Sequence, residues 1–365
     1  MSKFLNKKYA NLEAYTPGEQ PRDMKYIKLN TNESPYPPSP KVIEAINREE
    51  IEKLRLYPDP ECTELKEKIA ALYNVKKENV YLSNGSDDIL YFAFMAFSEE
   101  NRPICFPEIS YGFYQVFADL LQVPYRKVPL KEDFTIDCKD YLGETGMVVI
   151  ANPNAPTGLT LTQEEICRII ESNRDRVVLI DEAYIDFGGE SCVPLTSVYD
   201  NLLVVQTFSK SRSMAGARLG FAIANAALIE DLNRIKYSTN PYNINRLTMA
   251  AAQAAIEEND YYMQKCKEIQ MTRQYTKSQL EALEFQVLPS LTNFLFAKSK
   301  QLDGEMLYRE LKKKGVLVRH FQTEKIKDFN RITIGTKEEM DFFLTKVKEI
   351  LAESKRGKTN ENQPD

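Results

Sequence analysis

The sequence predicts an α/β protein: a mostly parallel central sheet with helices on both faces, followed by a smaller α+β domain. Three observations carry this. Short apolar runs at Val80 to Leu82, Pro103 to Phe106, Met147 to Ala151, Val177 to Ile180, Leu202 to Gln206 and Phe221 to Ala224 alternate with stretches of helical spacing. Polar and ionisable residues collect just after the carboxyl ends of those runs, where open parallel sheets bind their ligands. Beyond Ala224 the alternation stops and long helical patterns take over.

Residues 1–40 carry prolines at 17, 21, 35, 37, 38 and 40 and read as an extended arm. Lys41 to Leu54 has helical spacing. The stretch Arg55-Leu56-Tyr57-Pro58-Asp59-Pro60 breaks it and holds Tyr57 in a stiff loop before a helix over Thr63 to Tyr73. Val80-Tyr81-Leu82-Ser83 is a strand ending in Asn84-Gly85-Ser86-Asp87-Asp88, which opens an apolar helix over Ile89 to Phe97. Such a junction aims free amides and a helix dipole at whatever lies above it, although Ser86 or Asp87 could equally cap the helix. After the strand Pro103 to Phe106, Tyr111 stands at a strand-to-helix turn, placed either to stack on a planar ring or to join the core. Met147 to Ala151 feeds a rigid proline-bracketed loop, Asn152-Pro153-Asn154-Ala155-Pro156-Thr157-Gly158, and then a helix over Thr162 to Glu171. The run Val177 to Ile180 ends in Asp181-Glu182-Ala183-Tyr184.

The stretch from Thr207 to Gly220 connects the last two strands and contains Ser209-Lys210, Arg212 and Arg218 among small and hydroxylated residues. Its accessible amides and guanidinium groups suit a phosphate, and it presents one amine beside it. That juxtaposition suggests a Schiff-base lysine. Asn84, Tyr111, the Asn154 loop, Asp181, Tyr184 and Lys210 all fall at strand ends, as a single site requires.

Past Ala224, helices are expected over Ile244 to Glu258 and Asp260 to Leu283. Short strands at Phe285 to Val287, Asn293 to Ala297, Val316 to Arg319 and Arg331 to Ile334 then alternate with helices Gly304 to Lys314 and Lys337 to Ala352. The division is therefore an arm (1–40), a large domain (41–243) and a small domain (244–352). Residues 353–365, polar and without an apolar anchor, are expected to be disordered.

Composition narrows the chemistry. A net charge of −5 gives no general attraction to nucleic acid or anionic lipid, and no apolar run approaches membrane-span length. The start Met-Ser-Lys-Phe-Leu-Asn-Lys-Lys lacks the apolar segment of a secretory signal, which predicts a cytoplasmic protein. Six cysteines without a C-x-x-C pair read as reduced thiols. One histidine, His320, argues against a protein zinc site or a Ser-His-Asp triad. Acid-base work must fall to Lys, Tyr, Asp or Glu, with or without a cofactor.

The motifs Leu29-Asn30-Thr31-Asn32-Glu33, Tyr57-Pro58-Asp59, Asn84-Gly85-Ser86-Asp87, Asn152 to Gly158, Asp181-Glu182-Ala183-Tyr184, Ser209-Lys210 with Arg218, and Arg331-Ile332-Thr333-Ile334-Gly335 occur in this order. Across about Tyr15 to Leu351 the chain resembles fold-type I pyridoxal-phosphate aminotransferases, most closely the histidinol-phosphate aminotransferase family. The resemblance implies that Lys210 forms the Schiff base with pyridoxal 5'-phosphate and later shuttles the substrate proton. Asp181 would pair with the pyridine nitrogen, Tyr184 would bond the ring oxygen, and Tyr111 would stack on the ring. The phosphate would take the amides of Gly85 and Ser86, the hydroxyls of Ser209 and Thr207, and Arg218. Tyr57 would reach the phosphate in a neighbouring subunit, which implies a homodimer with shared sites. Arg331 would receive the anionic end of the substrate with Arg319 alongside, and Tyr15 and Asn32 would complete the substrate pocket. One departure stands out: the family's asparagine before Pro-Thr-Gly is Ala155 here, so its contact to the ring oxygen is lost, left to Tyr184, or taken over by Asn154 or a water. The reaction implied is transamination of L-histidinol phosphate with 2-oxoglutarate, by a ping-pong route. The rivals on this scaffold are an aromatic amino acid aminotransferase and a phosphothreonine-type decarboxylase.

Overall fold

The computed structural model describes residues 2–361, with side chains through Arg356. Its strands are β1 Ile27–Leu29, β2 Val80–Ser83, β3 Ile104–Pro107, β4 Tyr125–Val128, β5 Met147–Ala151, β6 Val178–Asp181, β7 Leu202–Thr207, β8 Gly220–Ala224, β9 Phe285–Val287, β10 Phe294–Ser299, β11 Val316–His320 and β12 Asn330–Thr333. Its α-helices are α1 Pro40–Ala45, α2 Arg48–Glu52, α3 Thr63–Tyr73, α4 Ser86–Phe97, α5 Phe113–Leu121, α6 Gln163–Ser172, α7 Ala226–Thr239, α8 Arg246–Glu257, α9 Asn259–Ala282, α10 Gly304–Lys313 and α11 Lys337–Glu361.

The large sheet has the order β2-β8-β7-β6-β5-β3-β4. Only β8 runs against its neighbours; β4, β3, β5, β6 and β7 are parallel. Every residue of β5, β6, β7 and β8 is buried, because helices cover both faces, and this is why those strands read as unbroken apolar runs. One apolar core lies on each side of the sheet, the first holding Val148, Ile180 and Val204 and the second Val149, Leu179 and Leu203. Alternation along the strands makes the two sets exclusive. Strand β4 escaped the sequence reading because it is an edge: Arg126 and Lys127 are exposed, so no apolar run marks it.

The small sheet has the order β1-β11-β12-β10-β9 and corrects the expected arm. Within residues 1–40, β1 joins this sheet in parallel to β11, with Ile27 opposite Val316 and the Ile27 amide on the Gly315 carbonyl at 2.9 Å. Three residues are too short a run to signal a strand. The expected boundary at residue 243 also moves. Helix α8 buries Met249, Ala251, Ala252 and Ala255 in the same core as Leu65, Ile69 and Ile166, and therefore belongs to the large domain. Helix α9 crosses between domains: Tyr262 lies in that core, whereas Cys266, Ile269 and Leu280 lie in the core of the small sheet. Helical spacing shows which face is buried but not against which partner.

Two further differences have local causes. The expected helix over Lys41 to Leu54 is broken because Asn47 accepts from the Glu50 amide at 3.1 Å and starts α2 afresh. Helix α11 runs to Glu361, into the stretch expected to be disordered, with Glu353 paired to Lys314 at 2.8 Å. Residues 362–365 of that expected tail lie outside the described residues. No described helix is long and apolar enough to cross a membrane, and all six cysteines are free thiols.

Candidate active site

The carboxyl end of β6 delivers Asp181 into the interior, 5% exposed. Burial pushes its carboxyl up to about 6, opposed by hydrogen bonds from the Tyr114 hydroxyl at 2.8 Å and the Ala183 amide at 3.2 Å. Such a carboxylate is costly unless a cation comes to it. Glu182 points the other way and is tied by Ser191 at 2.6 Å and Gln206 at 2.8 Å, so it braces β6 and β7 and stays out of the site.

Lys210 follows β7. Its Nζ donates to the Thr31 carbonyl at 3.4 Å and stands 5.8 Å from the centre of the Tyr184 ring. The arm after β1 supplies three successive contacts. The Asn30 carbonyl accepts from Arg331 at 3.0 Å, Thr31 from Lys210, and the Asn32 amide group donates to the Tyr184 hydroxyl at 2.9 Å. Asn32 therefore reaches Tyr184 directly. Its placement corrects the expectation that it serves the substrate pocket: both ends of its side chain are engaged by protein, Thr333 donating to its oxygen at 3.0 Å.

The turn after β2 makes a cradle beside Arg218. Gly85 has φ +90°, a conformation that suits glycine, and no side chain caps α4, so the first amides of that helix point outward. The capping alternative for Ser86 and Asp87 is thereby set aside. A Cβ on Gly85 would lie 2.7 Å from Arg218 Nη2, and one on Gly220 would lie 2.5 Å from the Ser86 amide nitrogen; both glycines keep this approach open. Arg218 is held by Asp87 Oδ2 at 2.9 Å, while Asp87 Oδ1 accepts from the Tyr111 hydroxyl at 2.8 Å. Ser209 has no partner for its hydroxyl among the described residues. Thr207 differs: it accepts from the Ser209 amide at 3.1 Å and donates to the Leu219 carbonyl at 3.3 Å. Its expected phosphate contact gives way to fastening this turn.

Arg331 and Arg319 face each other across the β11–β12 pair. The Arg331 guanidinium lies over Phe294 and Phe321, its Nε is buried without a partner, and burial lowers its proton affinity. Neither arginine has a carboxylate partner among the described residues. Arg319 donates to the Thr16 carbonyl at 3.5 Å, and Tyr15 rests on Phe113 at 4.2 Å between ring centres, so the arm crosses the mouth of the site.

Two expected ligands are elsewhere. Asn154 is buried with its side chain fully used, donating to Ile109 and Thr157 at 3.0 Å and accepting from Ser110 at 2.7 Å. It organises its own loop and cannot replace the group missing at Ala155. Tyr57 is 79% exposed, stacked on Tyr242 at 4.6 Å, and does not reach the site of its own chain. Conversely, the sequence reading missed Tyr114 and Asp87 as parts of the site. The spacing of Tyr114, three residues after Tyr111 at the start of a helix, was the available signal.

A buried acid under the electrostatic influence of an amine, free helix amides beside an arginine, and a half-buried tyrosine form a set that would fit a phosphorylated pyridine aldehyde. The model for aminotransferase class I and II matches residues 24–347. The chain belongs to this pyridoxal-phosphate-dependent aminotransferase family. It is 53% identical over 352 residues to a histidinol-phosphate aminotransferase of Brachyspira hyodysenteriae, covering 96% of this chain and 99% of that one. It is 50% identical over 356 residues to the protein of that name in Clostridium beijerinckii, covering 98% and 99%. Among solved structures, the aminotransferase resembles the histidinol-phosphate aminotransferase of Clostridium acetobutylicum, with a TM-score of 0.83, 25% identity and coverage of 90% and 99%. The same fold holds pyridoxal-5'-phosphate in the Sinorhizobium meliloti histidinol-phosphate aminotransferase, with a TM-score of 0.83, 23% identity and coverage of 90% and 92%.

Proposed function

We propose that this aminotransferase transfers the amino group of L-histidinol phosphate to 2-oxoglutarate, giving imidazole acetol phosphate and L-glutamate, a step of histidine biosynthesis. The observation that carries this reading is the pair Arg331 and Arg319, two guanidinium groups without a carboxylate partner among the described residues. A phosphate dianion and then a dicarboxylate would use the same planar donors in turn, as a ping-pong exchange requires. The identity to the two named relatives supports the same substrate.

Pyridoxal phosphate, when bound, supplies a ring that withdraws electrons from the substrate carbon. The residues here would do the rest. Asp181, ionised once a ring nitrogen approaches, would hold that nitrogen protonated. Lys210 would attach the cofactor and afterwards carry the proton, its amine kept in place by the Thr31 carbonyl. Tyr111 would cover the ring face, Tyr184 would donate to the ring oxygen, and the amides at Gly85 and Ser86 with Ser209 and Arg218 would receive the phosphate.

The active unit is read as a homodimer. Tyr57 stands among the exposed side chains of Ile51, Leu54 and Leu56, an apolar stretch suited to a second copy, whose site Tyr57 would complete. The location is read as cytoplasmic.

The test is the visible spectrum of the holoenzyme. L-Histidinol phosphate added without a keto acid should remove the cofactor band, and 2-oxoglutarate should restore it. A band that answers only to aromatic amino acids would reject the substrate, and failure to reconstitute any band would reject the site.

A further inference from the structure

We propose that Asn32 is a positioning residue that fixes the direction of the Tyr184 hydroxyl proton, turning it out of the protein toward the cofactor's ring oxygen. The inference rests on the cofactor site proposed above and on hydrogen-bond polarity. The Asn32 backbone N–H can only donate, and it does so to Thr333 Oγ1 at 3.0 Å. That hydroxyl must then send its own proton elsewhere, and it goes to Asn32 Oδ1 at 3.0 Å. The oxygen of the Asn32 side chain is therefore committed to Thr333, and its NH2 group to Tyr184 at 2.9 Å. Tyr184 accepts there and keeps its single proton free. No acceptor for that proton is present among the described residues.

The surroundings make this arrangement rigid. Asn32 is buried at φ +57°, a conformation asparagine tolerates, and the Asn293 side chain donates to its carbonyl at 2.9 Å. The Tyr184 ring stands edge-on to Phe294 at 5.2 Å, the strand neighbour of Thr333. The titratable groups facing Tyr184 are Lys210, Arg331, Tyr111 and Tyr114; none of them is hydrogen-bonded to its hydroxyl. The arrangement matters more here than where a second donor is present. Ala155 has no polar group and the Asn154 side chain is engaged elsewhere, so Tyr184 is left as the donor to the ring oxygen. Two residues from Thr333 on the same strand lies Arg331, so the anion-binding strand and the proton direction share one support.

A hydrogen bond donated to the ring oxygen stabilises its negative charge and so lowers the proton affinity of the nitrogen linking it to Lys210. The readout is the pH midpoint of the holoenzyme's visible absorption change. Asn32→Asp keeps shape and backbone preference but replaces the NH2 group with an acceptor, which draws the Tyr184 proton inward. Asn32→Gly removes the side chain and tolerates φ +57°. Both are expected to raise the midpoint by roughly one pH unit, a tenfold change in proton affinity. In a Tyr184→Phe background, Asn32→Gly should add no shift, and Asn32→Asp only what its through-space charge supplies. Midpoints of both variants equal to the wild type's, or a full Asn32→Gly shift persisting in Tyr184→Phe, would overturn the proposal. Absence of any cofactor band in the wild-type protein would instead overturn the site on which it rests.

Discussion

The Tyr114 hydroxyl donates to Asp181 Oδ2 at 2.8 Å in a part of the molecule where both residues are buried. This bond is the main relief for a carboxylate that burial otherwise drives toward its neutral form. The sign of the pH effect follows. In the cofactor-free protein the folded-state pKa, about 6, lies above that of the unfolded chain, so folded Asp181 holds its proton to higher pH. Stability is then greatest below the unfolded value and declines as pH rises through about 6.

Cofactor-free Asp181→Asn should escape this penalty. Relative to wild type at pH 8 it is expected to gain on the order of 2 kcal/mol, and the gain should vanish near pH 4. Urea unfolding at the two pH values measures both. A gain equal at the two values would mean that ionisation of Asp181 is not its source.

Gly220→Ala sets a methyl group 2.5 Å from the Ser86 amide nitrogen and 2.6 Å from the Gly85 carbonyl carbon, both of them backbone. The cradle must shift, and overpacking of this kind costs about 1–3 kcal/mol. The affinity of the apoenzyme for pyridoxal phosphate should fall roughly tenfold to a hundredfold, whereas unphosphorylated pyridoxal should lose little. An equal loss for the two ligands would place the damage away from the phosphate.

Arg331→Lys keeps a cation but loses the planar fork. Charge-assisted hydrogen bonds contribute about 1.5–3 kcal/mol, so KM for L-histidinol phosphate should rise by roughly ten- to a hundredfold. Arg319→Ala should raise it less, because it is Arg331 whose guanidinium burial desolvates and whose Nε is left without a partner. Steady-state kinetics at two ionic strengths check this, and an unchanged KM in Arg331→Lys would assign the anion to another group.

Tyr57 and Lys210 should belong to different subunits of one site. Tyr57→Phe mixed with Lys210→Ala after subunit exchange should recover activity at sites built from one intact copy of each. Lys210→Ala alone should be inactive and give no borohydride-trapped adduct. A mixture no more active than its components, with exchange verified, would remove the shared-site reading.

Much was legible in the sequence for physical reasons. Strands β5 to β8 are buried on both faces, so their apolar runs announced them, and the residues that follow them had to lie at one end of the sheet. Asp181, Tyr184 and Lys210 were therefore expected together at that end. Glycine at 85 and the hydroxyls around Lys210 carried the cradle in the same way.

Other features depended on contacts between distant residues. The assignment of α8 to the large core, the pairing of β1 with β11, and the reach of Asn30, Thr31 and Asn32 to Arg331, Lys210 and Tyr184 join positions separated by up to 301 residues. Hydrogen-bond supply was equally invisible. Asn154 and Thr207 carry suitable groups, but their nearest neighbours claim them first, and Asn32 serves Tyr184 because Thr333 has already taken its oxygen. The sequence determined which chemistry stands at the end of the sheet, because burial and periodicity are local properties of the chain. The tertiary structure alone decided which polar groups remain free to perform it, because each donor and acceptor is committed by partners far away along the chain.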